Sequence, residues 1–163
     1  MLRLARVTDT EDSDKLGRIR VSYLGHEDAA ESDWVHVVTP MAGDEGGIFF
    51  MPEAGDIVVV GALDGDLNRG VVLGALWSGM QKPPADAATE RRIVSRTGHA
   101  ITLSDGDDDG ITLEDSHGNR IVMNADGISI TTDKDLTIKV GGATTFETTG
   151  EATIKGSTIN LNP

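Results

Sequence analysis

The C-terminal part of the chain repeats one short phrase: a glycine or polar turn, an apolar–polar–apolar triplet, then polar residues again. The apolar pairs are Ile101/Leu103, Ile111/Leu113, Ile121/Met123, Ile128/Ile130, Leu136/Ile138, Ala152/Ile154 and Ile159/Leu161. Their starts fall 10, 10, 7, 8, 16 and 7 residues apart, the widest gap bridged by the degenerate pair Thr144/Phe146. Residues at i and i+2 share one face of a strand, and a short recurring period is the signature of a β-solenoid or fibre. Such a segment has one narrow apolar face and little else to bury. Alone it should not fold; wound with copies of itself it forms a rigid rod.

Aromatic residues are distributed accordingly. Tyr23, Trp34, Phe49, Phe50 and Trp77 precede residue 80 and only Phe146 follows, so an ordinary core is expected in the first half alone. Lys82-Pro83-Pro84 followed by Ala85-Asp86-Ala87-Ala88 reads as the join. The net charge of −13 is spread over both halves, 9 basic against 16 acidic residues up to Arg92 and 5 against 11 after it. Neither half offers a basic patch to neutralise phosphates, which argues against nucleic acid as a partner. No cysteine is present, which removes disulfides and thiolate metal sites. The apolar run after Met1 is too short for a signal peptide and none reaches the length of a membrane span, so cytoplasmic assembly is expected.

In the first half, short β-patterned runs alternate with turns: 3–7, 17–23, 33–38, 47–51, 56–61 and 70–76. Asp64-Gly65 between the last two marks a hairpin. The sole competing helical signal is weak and lies near residues 84–92. Five or six strands in about eighty residues fit a small closed Greek-key barrel of the OB type. Trp34 and Trp77, among acidic residues, are expected to pack in a core or an interface and not to stack bases.

The order of phrases is specific. Ala5-Arg6-Val7-Thr8-Asp9-Thr10 leads to Leu16-Gly17-Arg18-Ile19-Arg20-Val21, then Asp33-Trp34-Val35-His36-Val37. Gly46-Gly47-Ile48-Phe49-Phe50-Met51-Pro52-Glu53-Ala54-Gly55-Asp56 and Asp64-Gly65-Asp66-Leu67-Asn68-Arg69 follow, then Val72-Leu73-Gly74-Ala75-Leu76-Trp77-Ser78-Gly79. Ser95-Arg96-Thr97-Gly98-His99, Leu103-Ser104-Asp105 and His117-Gly118-Asn119-Arg120-Ile121 continue the series. Over nearly its whole length the chain resembles the central spike proteins of contractile injection machines, which include phage baseplate assembly protein V and the C-terminal part of the valine-glycine repeat protein (VgrG) of type VI secretion.

The resemblance implies an all-β homotrimer: an OB-fold barrel over 1–81, a linker over 82–92, and a needle over 93–163 in which three chains wind into a triple-stranded β-helix, or β-prism. Strands stacked at about 4.8 Å would make this needle on the order of 40 Å long. The expected needle core is Ile101, Leu103, Ile111, Leu113, Ile121, Met123, Ile128, Ile130, Leu136, Ile138 and Ile154. Ile159 and Leu161, with no later strand to cover them, are expected to form a docking surface for a PAAR-type tip protein. Because the chain starts at the barrel, a separate hub protein is expected beside tube and baseplate proteins. Only the linker stands where some relatives carry a lysozyme domain.

Sites of chemistry are scarce. Asp105-Gly106-Asp107-Asp108-Asp109-Gly110 imitates the start of a calcium loop, but the twelfth position is Ser116 instead of a bidentate Glu. His26, His36, His99 and His117 are scattered, and the apical His-x-His of some phage spikes is absent, so no metal is expected. No Gly-x-Ser-x-Gly elbow occurs, and Glu53 and Asp56 read as turn residues. The expected function is a structural, non-enzymatic spike without cofactors, part of a tail baseplate or injection particle, that caps a tube and punctures the target cell envelope, touching the target membrane transiently. Alternatives are an OB-type nucleic-acid binder with a β-rich extension, a truncated VgrG of a type VI system, and a calcium-dependent β-roll.

Overall fold

The computed structural model describes residues 1–25 and 31–161, which excludes His26 and Pro163. The described residues contain no helix, and the chain divides into two units, Met1–Ala88 and Thr89–Pro163.

The first unit is a closed barrel. Its strands are β1 (Leu2–Asp9), β2 (Arg18–Tyr23), β3 (Val35–Val37), β6 (Ile57–Leu63) and β7 (Asp66–Leu76), paired in the order β1-β2-β3-β7-β6. All pairs are antiparallel except β3 with β7, where His36 faces Val71 and Val37 faces Val72. Closure of five short strands gives the OB-type architecture. β4 (Ala42–Gly43) and β5 (Gly46–Gly47) form a separate miniature hairpin in the connection between β3 and β6. At the β6–β7 turn, Asp64 and Gly65 both adopt positive φ, 51° and 82°. That is the two-residue turn whose twist matches the flanking strands, so β7 starts at Asp66, inside what reads in the sequence as a longer polar turn.

Alternation selects the core: Ala5 and Val7 from β1, Ile19 and Val21 from β2, Val35, Val58, Val60 and Val72 are each at most 2% exposed. Each Val contributes about 1.5 kcal/mol or more by leaving water. The aromatic residues are not among these core side chains. Tyr23 packs against its margin, Trp34 is half-buried, and Phe49, Phe50 and Trp77 are exposed. The lumen of a five-stranded barrel is narrow, and β-branched side chains fill it without room for rings.

Trp34 is covered from outside. The guanidinium carbons of Arg18 and Arg20 lie 5.9 and 4.9 Å from its ring centroid, positions suited to cation–π attraction. Acidic residues hold both arginines in place. Asp12 binds Arg18 through both oxygens at 2.7 and 3.0 Å, Asp14 adds a contact at 2.6 Å, and Glu31 meets Arg20 at 2.8 Å.

The second unit contains β8 (Glu90–Val94), β9 (Ala100–Ser104), β10 (Gly110–Glu114), β11 (Arg120–Asn124) and β12 (Gly127–Thr131), an antiparallel meander paired in sequence order. Where the sequence carries a weak helical signal, near 84–92, the structure has turns and bends followed by the start of β8 at Glu90. Cross-strand pairing of Ile93 with Ile101 outweighs a marginal local preference. Gly110 is obligatory: a Cβ there would stand 2.3 Å from the Met123 carbonyl oxygen. Residues 132–161 form no strand with their own chain.

The Asp12 latch makes acid stability testable. The hydrogen bond from Arg18, with backbone amides of Leu16, Asp14 and Arg18, holds the Asp12 carboxyl well below the usual carboxylate range, and Arg20 together with Thr8 lowers Glu31. Depressed folded-state values stabilise the barrel above the unfolded carboxylate range near pH 4 and lose that contribution as pH falls. Asp12→Asn should therefore lower the melting temperature at pH 7 and flatten its decline below about pH 4; an acid limb parallel to that of the parent would contradict the latch.

Candidate trimerisation face

Register in the meander sorts side chains into two faces. One row runs Ile93, Ile101, Leu113, Ile121, Ile130 across the strands, and a second runs Arg91, Leu103, Ile111, Met123, Ile128 on the same side. The opposite side carries Arg92, Thr102, Thr112, Val122 and Ser129 in its middle row. Arg92 donates to the Thr102 hydroxyl at 3.1 Å and meets Glu114 at 3.4 Å, while Arg120 approaches Glu114 at 3.8 Å. One face is thus apolar and the other polar and cross-linked by charge.

The apolar face lacks a second layer within its own chain. Ile93, Ile101, Leu103, Ile111, Leu113, Ile128 and Ile130 are exposed, and Ala100, on the other face, is the only buried apolar residue among the described residues of this unit. A sheet with one apolar face must bury it against another element, and the remaining chain cannot serve. In residues 132–161, Leu136, Ile138, Ile154 and Ile159 are exposed, Phe146 reaches 88% and Leu161 82%. Eight of the sequence-derived needle positions, Ile101 through Ile130, lie together on the meander face. Leu136, Ile138, Ile154, Ile159 and Leu161 lie in the strandless tail.

Ile93 and Arg91 were missing from the sequence-derived set. Ile93 extends the first row, but its alternation partner is Arg91, which hides the period-two signal. Arg91 is ion-paired with Asp105. That pair engages the first carboxylate of the Asp-rich turn between β9 and β10.

One edge of the meander is a knot of side-chain-capped turns. Ser95 Oγ accepts from the His99 amide at 3.0 Å, and His99 Nδ1 accepts from the Ser116 amide at 3.3 Å. Asp115 accepts from the amides of His117 and Asn119 and from Asn119 Nδ2, while Asn119 Oδ1 accepts from Thr132 Oγ1 at 2.6 Å. The hydrogen bonds from Asn119 come first in holding the Asp115 carboxyl below its ordinary range. His99 and His117, far apart in sequence, have ring centroids 5.8 Å apart, a proximity the sequence did not reveal. His36 lies on β3 of the barrel. No group of three or more His, Cys, Asp or Glu converges among the described residues. Glu53 and Asp56 serve a turn: the Glu53 amide donates to Asp56 Oδ2 at 2.9 Å, and Gln81 Nε2 to Asp56 Oδ1 at 2.8 Å.

Asn119 ties the β10–β11 turn to the start of the tail. Asn119→Ala should cost about 1–2 kcal/mol, read as a lower urea midpoint, and should speed amide exchange around Thr131 and Thr132. Unchanged exchange there would show that the turn does not hold the tail.

Comparison with known proteins places these units. Residues 3–77 match the type VI secretion system/phage-baseplate injector OB domain, and residues 92–162 the phage baseplate V C-terminal trimerisation domain. Two spike proteins of the Pseudomonas aeruginosa type VI secretion system, VgrG2a and VgrG2b, are each 30% identical to this chain over 86 residues, which is 50% of this chain. The match covers 10% of VgrG2a and 8% of VgrG2b, so the chain corresponds to a small part of either relative. With a closed OB-type barrel followed by a trimerisation domain, the chain belongs to the baseplate V/VgrG family of spike proteins.

Proposed function

We propose that this protein is a structural, non-enzymatic homotrimeric spike of a contractile phage tail or phage-like injection particle, which caps the tube and is driven first through the target envelope. The observation that carries the reading is the meander: one apolar face without a second layer, followed by a tail rich in exposed apolar residues and free of intrachain strands. In the trimer, three meanders face one another around the axis and the tails intertwine downstream. Backbone hydrogen bonds of the tails then run between chains, so an end load is shared across many bonds. The proposed domain division is a barrel over 1–81 and a needle over 93–163 joined by the stretch 82–92, whose last three residues already belong to β8, with the eleven needle-core residues named above turned inward.

Assembly in the cytoplasm, a separate hub protein, contact with tube and baseplate proteins, and a tip partner of the PAAR type belong to this proposal. The net charge of −13 argues against nucleic acid as a partner. A second reading, the spike of a type VI apparatus, is favoured by the names of the two Pseudomonas relatives.

Sedimentation at micromolar concentration tests the trimer: a folded monomer would overturn the proposal. Ile121→Asp would place three carboxylates near one axis without partners, and loss of trimer or of solubility is expected. Parental melting temperature in that variant would show that Ile121 faces outward. For the tip, pull-down with the candidate tip protein should succeed for the full chain and fail for a chain ending at Ser157. Equal capture of both, or of neither, would remove the docking role of Ile159 and Leu161.

A further inference from the structure

Strand pairing in the barrel decides where the chain enters and leaves it. β6 pairs with β1 on one side, from Leu2 opposite Gly61 to Arg6 opposite Ile57, and with β7 on the other, where Leu76 stands opposite Ile57. β1 and β7 therefore run in the same direction. The start of β1 and the end of β7 lie at opposite ends of β6, separated along the stretch from Ile57 to Gly61 by about 14 Å.

A pull between these two points acts along the strands. Ladder hydrogen bonds of antiparallel pairs lie across the strands, so such a load shears β1 and β7 past β6 and strains all the rungs together. A pull between the start of β1 and Leu63 is different. Both points lie at the same end of β6, and the load opens the Leu2–Gly61 rung first and the others in turn. Each hydrogen bond is modest by itself, so sharing the load decides the strength. β1 is also held from its other side, where Ala5, Arg6, Val7 and Asp9 pair with β2.

The chain is tied down where it leaves β7. After Leu76 the stretch from Ser78 to Gln81 closes on itself: the Ser78 amide donates to the Gln81 carbonyl at 2.9 Å, and the Gln81 amide to the Ser78 carbonyl at 3.2 Å. Ser78 Oγ also accepts from the amides of Met80 and Gln81. The Gln81 side chain then reaches back, its Nε2 donating to Asp56 Oδ1 at 2.8 Å. Asp56 is itself firmly seated. Its Oδ2 accepts from the Glu53 amide at 2.9 Å, and its carbonyl accepts from the Val7 amide at 2.9 Å. Beside it the Gly55 amide donates to the Val7 carbonyl at 2.9 Å, and Arg6 Nη1 donates to the Gly55 carbonyl at 3.1 Å. One side chain of the exit is thus bound to the residue that stitches the entry of β6 to β1.

From this arrangement we infer that each barrel is a force coupler loaded in shear between the start of β1 and the end of β7, with the Gln81–Asp56 hydrogen bond as its grip on the departing chain. The inference deepens the spike reading above, in which resistance met by the needle returns to the barrel along residues 82–88. Without the grip, a load arriving off the strand axis peels Leu76 from Ile57, the last rung of its ladder. With it, the load passes through Asp56 into β6 and, by way of Val7, into β1.

The chain has no cysteine, so two introduced thiols define a pulling direction. Full chains with Leu2→Cys and Asp86→Cys (the shear pair), or with Leu2→Cys and Leu63→Cys (the peel pair), carry an affinity tag. They are co-expressed with an excess of untagged parental chain, so that both handles of a purified particle sit on one chain. Rupture force, which reports the barrier to forced unfolding, is measured at a single loading rate. The expected result is a several-fold higher force for the shear pair than for the peel pair. Gln81→Ala should lower the shear force and leave the peel force unchanged. Equal forces in the two directions overturn the shear coupling. An unchanged shear force in Gln81→Ala, or a fall in both forces, overturns the grip. Sedimentation of the same particles tests the spike reading separately: a folded monomer overturns that reading, while the forces, read within one chain, still decide the coupling.

Discussion

A single-layer sheet cannot hide both of its faces, and the meander of this protein makes one of them apolar. Two rows of isoleucine, leucine and methionine lie side by side across five strands, and their own chain supplies no cover. Burial at about 25 cal/mol per Å² is then available only against other molecules. This deficit governs the rest of the design: it calls for partners, it favours identical partners in a trimerisation domain, and it leaves the polar face free for ion pairs such as Arg92–Glu114.

The barrel solves the opposite problem. Closure removes its edges, and a core of valine, isoleucine and alanine fills its lumen without help. Aromatic side chains, displaced from that narrow interior, take up two outside roles. Trp34 is roofed by two arginines whose charges are held by Asp12, Asp14 and Glu31, so an apolar ring is turned into a charged surface. Phe49, Phe50 and Trp77 have no such roof. The contrast separates a ring that is part of the barrel's own surface from rings left available to another molecule.

The strands of the meander were legible because two periodicities coincide there. Apolar residues recur every second position, and turns of similar length bring the pairs into register, so Ile101, Leu113, Ile121 and Ile130 form one line. β8 was illegible because Arg91 occupies an apolar position and its counter-charge, Asp105, lies a full hairpin away. Proximity of His99 to His117 was hidden for a similar reason: it follows from the alignment of two turns, not from spacing. In the barrel the near-continuous apolar runs gave strands but not facing, so the sequence alone left open whether Trp34 and Trp77 pack in a core or an interface. The Asp64-Gly65 hairpin could be read because its turn chemistry is local.

Each strand of the meander pairs only with its sequence neighbours, through short turns, and this has a kinetic meaning. Contacts of that kind form within one chain quickly and without regard to concentration. The tail forms no strand with its own chain, and in the proposed trimer its hydrogen bonds run to two other chains. In the proposed trimer the meanders would act as rulers: they set the register and deliver three tails to a common starting line, from which winding would proceed toward the tip like a closing zipper. A chain lacking its ruler would have tails free to slip past one another by a repeat, since successive apolar pairs look alike. Such a rod would be stable and misaligned, and little in its tail sequence would correct the error.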